Sequence, residues 1–348
     1  MAFSIYKRTR SARLTVTIPD GQVVTIENMR GDSGFSMSFE AKRTMDEHPG
    51  EFSVSVYNLP PDVLSSLELA QVRRIDDADI LLTGDILQVS QVSPTGDDAL
   101  ASGWPIVEFE AGYDEVVTRV FRAIGASINT EPVDGAITTE TTIRSVENLD
   151  GGLLGLPVSV FPAGAAIFDV VDYLRRIAGL GPGNLTPATL AGIIGPAKLS
   201  SPYALSGGEA MAHLKNVLQW LAVRWFIDDR EIWVCGRDGV PNPYKAPAYV
   251  ADGIDEPDLL LSPPQRDSGG RVIVECLLCP RIRVGRLVQL TEAGLSAALQ
   301  GLAPQIQQIA LAKVPPGLYR CDEVSHRGST TGGDWTTTMT LRPGVAVV

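Results

Sequence analysis

Residues 34–59 read GFSMSFEAKRTMDEHPGEFSVSVYNL, and their pattern decides the fold expected for the chain. Apolar and polar residues alternate on both sides of a turn at residues 48–50, which is the period of a strand with one buried face. Two such runs joined by one turn predict a long antiparallel hairpin. The second strand should end before Pro60, because proline has no N–H for a strand ladder. A short helix is expected over residues 62–67.

The same alternation recurs on both sides of this hairpin. Residues 13–18 and 22–26 alternate around a turn and predict a second hairpin. Together the two hairpins are expected to form a four-stranded antiparallel sheet. Further alternating runs lie between residues 72 and 146. About seven strands with turns between them are typical of one closed barrel or sandwich.

The middle of the chain changes to helical spacing. Apolar residues recur at that spacing over residues 167–178 and predict a helix. The Gly- and Pro-rich residues 181–201 predict a long loop or a weakly helical crossover. Ser206 and Glu209 form a capping box before a second helix, and residues 225–234 predict a hairpin packed on it.

Strands return after residue 260, with one inserted helix expected over residues 295–306. We therefore predict a mainly β protein with an α+β middle domain. Two antiparallel β-barrels, formed by residues 1–149 and 260–348, should flank a mixed domain formed by residues 150–259. A length of 348 residues accommodates two or three domains of ordinary size.

Composition and charge narrow the function classes. The net charge is −12, and residues 1–149 hold 12 basic and 23 acidic side chains, whereas residues 260–348 hold 9 and 6. An acidic first part argues against a dedicated nucleic-acid-binding surface, which needs clustered Lys and Arg. Neither a signal peptide nor a membrane-spanning segment is predicted, so synthesis and folding in a cytoplasm are expected.

Sequence motifs that would indicate catalysis, metal binding or sugar binding are weak. Ser33 in Gly-Asp-Ser-Gly resembles a protease nucleophile, but no histidine precedes it to act as the base. Cys276 and Cys279 have a metal-like spacing without a second ligand pair, so buried thiols are expected. The tryptophans at 220, 225 and 233 are compatible with a sugar-stacking platform, but core packing of a helix against its hairpin is favoured. No catalytic residue, cofactor or metal site is predicted.

Three groups of short motifs resemble the baseplate hub proteins of tailed bacteriophages, the group of the Mu tail hub and late control D proteins. The first group is residues 52–60 with the strand end at 107–113. The second is residues 159–164 before a helix, followed by the helix and hairpin at 206–234. The third joins residues 279–290 with 317–320 and 326–335. The segments at 72–103 and 291–313 depart from the simplest pattern of the family.

The resemblance implies a structural protein that is not an enzyme. Its two barrels would be like those of a tail tube, and a homotrimer would present six of them to a hexameric tail tube protein and a threefold end to a central spike protein. The tape-measure protein and DNA would pass through the lumen, the DNA without specific binding. Baseplate wedge or sheath-adaptor proteins are further partners. The location implied is the virion tail, assembled in the bacterial host cytoplasm without membrane insertion.

Interface candidates follow from the strand pair and from one basic run. The strand pair is expected to frame the first barrel, and its candidates are Phe35, Met37, Phe39, Phe52, Val54 and Val56. Arg281, Arg283 and Arg286 would offer cations to a neighbour's acidic barrel, although an ordinary solvated charge cluster explains them equally well. Two other functions stay open: a tail-associated cell-wall hydrolase, and a carbohydrate- or receptor-binding β protein.

Overall fold

The computed structural model of the chain describes residues 9–18, 21–29, 34–45, 50–67, 105–124, 126–133, 138–146, 159–205, 210–236 and 260–343. The strands are β1 (Arg10–Thr17), β2 (Val23–Asn28), β3 (Met37–Thr44), β4 (Glu51–Tyr57), β5 (Ile106–Tyr113), β6 (Val116–Ile124), β7 (Ser127–Val133), β8 (Thr138–Val146), β9 (Ser159–Phe161), β10 (Tyr203–Leu205), β11 (Arg224–Asp228), β12 (Glu231–Cys235), β13 (Gln265–Arg266), β14 (Val272–Leu277), β15 (Leu287–Leu290), β16 (Gly317–Ser329) and β17 (Trp335–Pro343). The helices are α1 (Ile167–Ile177), α2 (Pro187–Ile194), α3 (Ala210–Trp220), α4 (Glu292–Ala298) and α5 (Pro304–Lys313), and residues 61–67 are also helical. The mainly β class predicted from the sequence is confirmed. Within these ranges, every helix is too short or too polar to cross a membrane.

Both hairpins predicted from alternation are present. β1 pairs with β2 in the register Leu14↔Ile26, and β3 pairs with β4 in the register Phe39↔Val54. Along β3, every second residue from Met37 is buried, which is the one-sided burial that the alternation predicts. Two of the three residues of the turn predicted at residues 48–50 lie outside the described residues, which resume at Gly50.

The predicted four-stranded sheet of these two hairpins is wrong, because the hairpins lie in different sheets. One sheet has the order β2-β1-β5-β6, and the other has the order β13-β14-β17-β16-β3-β4-β8-β7, with β15 paired to β16. The outer edge of β1 pairs with β5, and that of β3 pairs with β16. Alternation shows which face of a strand is buried. It carries no information on which distant strand satisfies the edge N–H and C=O groups.

The two sheets share one core. Phe39 of β3 lies 4.6 Å from the ring of Phe109 on β5 and 5.4 Å from the ring of Trp335 on β17. Phe52 of β4 stacks on Phe121 of β6 at 4.9 Å. Aromatic side chains thus fill the space between the sheets, and each supplies a large apolar surface to the core.

The nine-stranded sheet joins the first and last parts of the chain. β16 pairs with β3 from Glu323↔Thr44 to Ser329↔Ser38, so strands from residues 1–149 and 260–348 lie side by side. Two hydrophobic cores lie mainly in these two parts, and a third lies in the middle part. The division into three domains stays a prediction, and any such domains would be joined through β3 and β16.

The middle part contains the predicted helices and one element that was not clearly predicted. α1, α3 and the β11–β12 hairpin are confirmed, while the capping-box residues lie outside the described part of the chain. Residues 181–201, expected to be a loop or a weak crossover, contain the eight-residue helix α2. Its start is fixed by the Thr186 side chain, which accepts a hydrogen bond from the Thr189 N–H at 3.0 Å.

The single helix predicted over residues 295–306 is wrong, because the structure has α4 and α5 there. Gly301, between them, has a φ of 90°, a conformation that glycine adopts at little cost. Pro304 opens α5, where its missing N–H leaves no helix hydrogen bond unmade. The helical spacing of apolar residues continues across the break between α4 and α5, so the sequence pattern does not reveal the break.

Candidate functional site: an arginine–aspartate junction

The tight turn between β11 and β12 holds the central group of the site. Asp228 pairs with Glu231, which leaves Asp229 and Arg230 as a two-residue loop with φ values of 51° and 63°. Two-residue hairpin loops of this kind require positive φ at both positions, which non-glycine residues adopt at a cost. Arg230 Nη2 donates to the Gly179 carbonyl at 2.7 Å and helps to hold the turn.

Asp229 binds arginines from two distant parts of the chain. Its Oδ1 lies 3.1 Å from Arg43 Nη2 of β3. Its Oδ2 lies 2.9 Å from Arg119 Nη2 of β6 and 2.6 Å from Arg283 Nη1, in the segment between β14 and β15. Asp228 adds a second carboxylate 3.4 Å from Arg43 Nε and 3.2 Å from Arg283 Nη1. We call these five residues the Asp229 junction.

Most of the Asp229 junction is buried, and the pKa of Asp229 is lowered within it. The side chains of Arg43 and Asp228 are only 2% and 3% exposed. Burial alone would raise the pKa of Asp229, but the charges of Arg43, Arg283 and Arg119 lower it on balance. Charges removed from water in this way need matched partners, since a buried charge that loses its partner destabilises the fold strongly.

A second buried carboxylate ties the same hairpin to β16. Arg320 Nε and Arg342 Nε donate to the two oxygens of Asp322 at 2.7 Å and 2.8 Å. Arg224 Nη2 of β11 lies 3.6 Å from Asp322 Oδ2 and donates to the Met45 carbonyl at 3.2 Å. Burial would raise the pKa of Asp322, and the hydrogen bond and charge of Arg320 lower it overall. The middle part is therefore held to the β sheets at two ionic sites.

His326 lies within the nine-stranded sheet near the junction. It faces Ala41 across the β16–β3 ladder, is fully buried, and its Nδ1 lies 2.9 Å from Thr337 Oγ1. Burial lowers the pKa of His326 to about 3, and the charges of Arg43 and Arg283 add to that effect. The imidazole is therefore neutral in the folded chain at neutral pH.

This histidine predicts a loss of stability in acid. Below the ordinary histidine pKa of about 6.5, the unfolded chain binds a proton that the folded chain does not. The free energy of unfolding should therefore fall by up to about 1.4 kcal/mol per pH unit as the pH drops from about 6.5 toward about 3. Urea unfolding followed by circular dichroism at several pH values should show this slope reduced in His326→Gln and kept in the control His213→Gln. An unchanged slope in His326→Gln would contradict the assignment.

A concave site of ≈ 400 Å³ opens beside the junction. We call it the arginine pocket; its charged lining consists of Arg119, Arg122, Arg281, Arg283 and Arg286 with Asp228, Asp229 and Glu231. Five guanidinium groups against three carboxylates leave the lining with a positive excess. The arginines come from β6 and from the segment between β14 and β15, so the folded chain assembles this charge from two distant stretches.

The apolar interface candidates are part of the chain's own core. The structure buries Met37, Phe39, Phe52, Val54 and Val56 and half-buries Phe35. Side chains with so little exposed surface contact their own core. A contact between this strand pair and another chain stays a prediction and would involve the opposite face of the strands.

The basic candidates do come together. Arg281, Arg283 and Arg286 all line the arginine pocket. Arg283, however, pairs with Asp228 and Asp229 of its own chain rather than reserving its charge for a neighbour. A role for the three arginines between chains is therefore a proposal that has to allow for this intrachain pairing.

The remaining sequence motifs do not form a site in the described residues. Trp225 and Trp233 are buried in different hydrophobic cores, and Trp220 is 68% exposed, so the three rings do not build one sugar platform. Cys276 is a buried free thiol, and its pKa is raised by burial. In the described ranges, no group of three or more His, Cys, Asp or Glu side chains could hold a metal ion. Ser33 lies outside those ranges.

Comparison with known proteins shows a likeness to solved structures. No protein-family model and no curated protein sequence matches the chain. Among solved structures, a chain of the Francisella PdpA–VgrG complex in its half-lidded form matches with a TM-score of 0.50 and 8% identity, covering 96% of this chain and 58% of that one. The 43 kDa tail protein of prophage MuSo2 from Shewanella oneidensis matches with a TM-score of 0.48 and 8% identity over 96% and 97% of the two chains.

A tail protein from Neisseria meningitidis MC58 also matches, with a TM-score of 0.48 and 9% identity over 97% and 98% of the two chains. Of these three matches, the Francisella chain alone reaches a TM-score of 0.50, and at 8% identity it describes the fold and leaves function to be argued from the residues. The fold of this chain is thus similar to that of the matched chain of the PdpA–VgrG complex.

Proposed function

We propose that the chain is a structural hub of a tail assembly. Three copies would form a ring with pseudo-sixfold symmetry that joins a hexameric tail tube to a trimeric spike. The observation that carries the proposal is the nine-stranded sheet, in which strands from residues 1–149 and 260–348 pair directly through β3 and β16. A chain that contains two β regions in one body can offer two wall elements to a ring.

Ion pairs join distant strands of the chain to one another. The Asp229 junction joins β3, β6 and the segment before β15, while Asp322 ties β16 to β11.

The outer strands of the two larger sheets, β2, β6, β7 and β13, have a partner on one side only within the described residues. Such edges pair readily with another chain, so contacts along a ring would protect them.

The proposed partners are those of a tail hub, and the proposed role involves contacts without turnover. The tail tube protein, central spike protein, and baseplate wedge or sheath-adaptor proteins would bind the ring, in a virion tail assembled in the host cytoplasm. The tape-measure protein and DNA would pass through the lumen. The acidic excess of residues 1–149 would discourage DNA from adhering to the wall, because like charges repel.

The mass of the protein in solution tests both the proposed trimer and the proposed role of Arg281 and Arg286 in it. Sedimentation equilibrium should give three times the chain mass of 37.2 kDa. The double variant Arg281→Glu and Arg286→Glu should shift the protein toward monomers, because the reversed charges would face a neighbour's acidic surface. Arg283 is left intact, since its reversal would also disrupt the Asp229 junction.

The control reverses an exposed arginine in the middle part, Arg176→Glu on α1, and should keep the wild-type mass. A wild-type protein that remains monomeric over the accessible concentrations would overturn the hub proposal. Unaltered assembly of the double variant would remove Arg281 and Arg286 from the interface.

A further inference from the structure

We propose that the arginine pocket binds an aspartate- or glutamate-bearing segment of a protein partner. This inference rests on the proposed function, because it names what a neighbouring subunit presents to this chain. The pocket is concave, lies at the meeting point of distant parts of the chain, and carries more positive than negative side chains. Those features are typical of a recognition site for a small number of negative groups.

The arginines fall into two layers. Arg283 is largely buried and is occupied by Asp228 and Asp229 at the base. Arg119 and Arg122 are more exposed and each lies within 4 Å of Glu108, while Arg119 also pairs with Asp229 at the base. Arg281 is exposed to solvent. The outer layer therefore presents guanidinium groups, whose planar donors bind carboxylates through two parallel hydrogen bonds.

The lining favours carboxylates over a nucleic-acid backbone. Asp228, Asp229 and Glu231 already lie in the pocket and would repel the closely spaced phosphates of a nucleic acid. Binding of a phosphate backbone also calls for basic residues along an extended track, whereas these arginines converge on about one ≈ 400 Å³ space. At the base of the pocket, arginines already bind a carboxylate closely: Asp229 Oδ2 lies 2.6 Å from Arg283 Nη1 and 2.9 Å from Arg119 Nη2.

Glu231 competes for the same arginines. Burial raises the pKa of Glu231, the charges of Asp228 and Asp229 raise it further, and Arg119 and Arg283 oppose the shift. This carboxylate therefore interacts with two pocket arginines without matching the close ion pairs of Asp229. A carboxylate of the partner would have to share the charge of these arginines with Glu231. Removing its charge should strengthen binding of an acidic partner.

The test measures binding of a fluorescently labelled oligo-aspartate peptide by anisotropy. Arg122→Ala and Arg281→Ala should each weaken binding about tenfold, the loss expected for one charged hydrogen-bonded pair. Glu231→Gln should tighten binding, and raising the salt concentration should weaken it in every variant. Arg327→Ala, an exposed arginine of β16 outside the pocket lining, is the matched control and should leave binding unchanged.

Equal binding by wild type, Arg122→Ala and Arg281→Ala would overturn the inference. So would displacement of the peptide by inorganic phosphate or by single-stranded DNA at concentrations as low as those of unlabelled peptide. The mass measurement is independent of these results. A monomeric protein that still binds the peptide through these arginines would leave the site assigned and remove the hub proposal. A trimer that neither binds the peptide nor loses mass in Arg122→Ala and Arg281→Ala would remove the site and leave the hub proposal.

Discussion

Replacing Asp228 and Asp229 together by asparagine is expected to lower the free energy of unfolding by about 3–5 kcal/mol. Arg43 is almost fully buried, and both of its carboxylate partners would lose their charge. Asparagine keeps the size of aspartate and tolerates the positive φ of position 229, so the variant isolates the charge effect from the turn geometry. Urea unfolding followed by circular dichroism measures the change.

A neighbouring ion pair on the same strand supplies the control. Lys42 lies next to Arg43 and pairs with Glu323 at 3.0 Å, with side chains 48% and 34% exposed. Lys42→Met should cost less than about 1 kcal/mol, because solvent screens exposed pairs. If the double asparagine variant cost no more than this control, the Asp229 junction would not hold the parts of the chain together.

Phe39→Ala is expected to destabilise the chain by about 3–5 kcal/mol. The ring packs between Phe109 of β5 and Trp335 of β17, so its removal leaves a cavity between the two sheets. Thermal and urea unfolding should show the loss, including at protein concentrations low enough to keep the chain monomeric. A loss that persists in the monomer reflects the core of one chain rather than a contact between chains.

Ser38, the residue before Phe39, supplies the control for this prediction. Ser38 points to the opposite, more exposed face of β3, and Ser38→Ala should change the stability by less than about 0.5 kcal/mol. If Phe39→Ala left the monomer stable and abolished assembly, the expectation that this residue lies at an interface would be correct, and its place in the core would not explain its role.

The local sequence pattern predicted the strands β3 and β4 but not the distant strand with which β3 pairs. The alternation around Phe39 and Val54 has the period of a strand, and a two-strand hairpin needs only a nearby turn, so β3 and β4 could be predicted from adjacent residues. The β16–β3 pairing joins residues almost 300 positions apart. Every strand edge offers the same backbone groups, so the choice of partner depends on how the whole core packs.

The candidate site was predictable only in part. The cluster of Arg281, Arg283 and Arg286 is visible as a basic run, and it does line the pocket. Asp228 and Asp229 look like ordinary hairpin-turn residues, because aspartate is common at turns. One signal was present for Arg43: it continues the inward phase of Met37, Phe39 and Ala41, so alternation places a charge on the buried face. A buried charge requires a partner.

The partner of Arg43 could not be found from spacing. Asp229 lies 186 positions away, in a part of the chain with a different hydrophobic core. The contact exists because the β11–β12 hairpin buries one face in the middle core, through Trp225 and Ile227, and the other in the β core, through Phe226 and Trp233. Because both faces of this short hairpin are buried, its turn is held next to the arginines of the Asp229 junction.

Electron microscopy of the purified chain most directly tests the idea that one polypeptide supplies two wall elements of a ring. Class averages should show rings with a central hole and threefold symmetry, in which six wall segments are visible. Compact particles the size of one chain, without a hole, at concentrations where the preparation is homogeneous would contradict it.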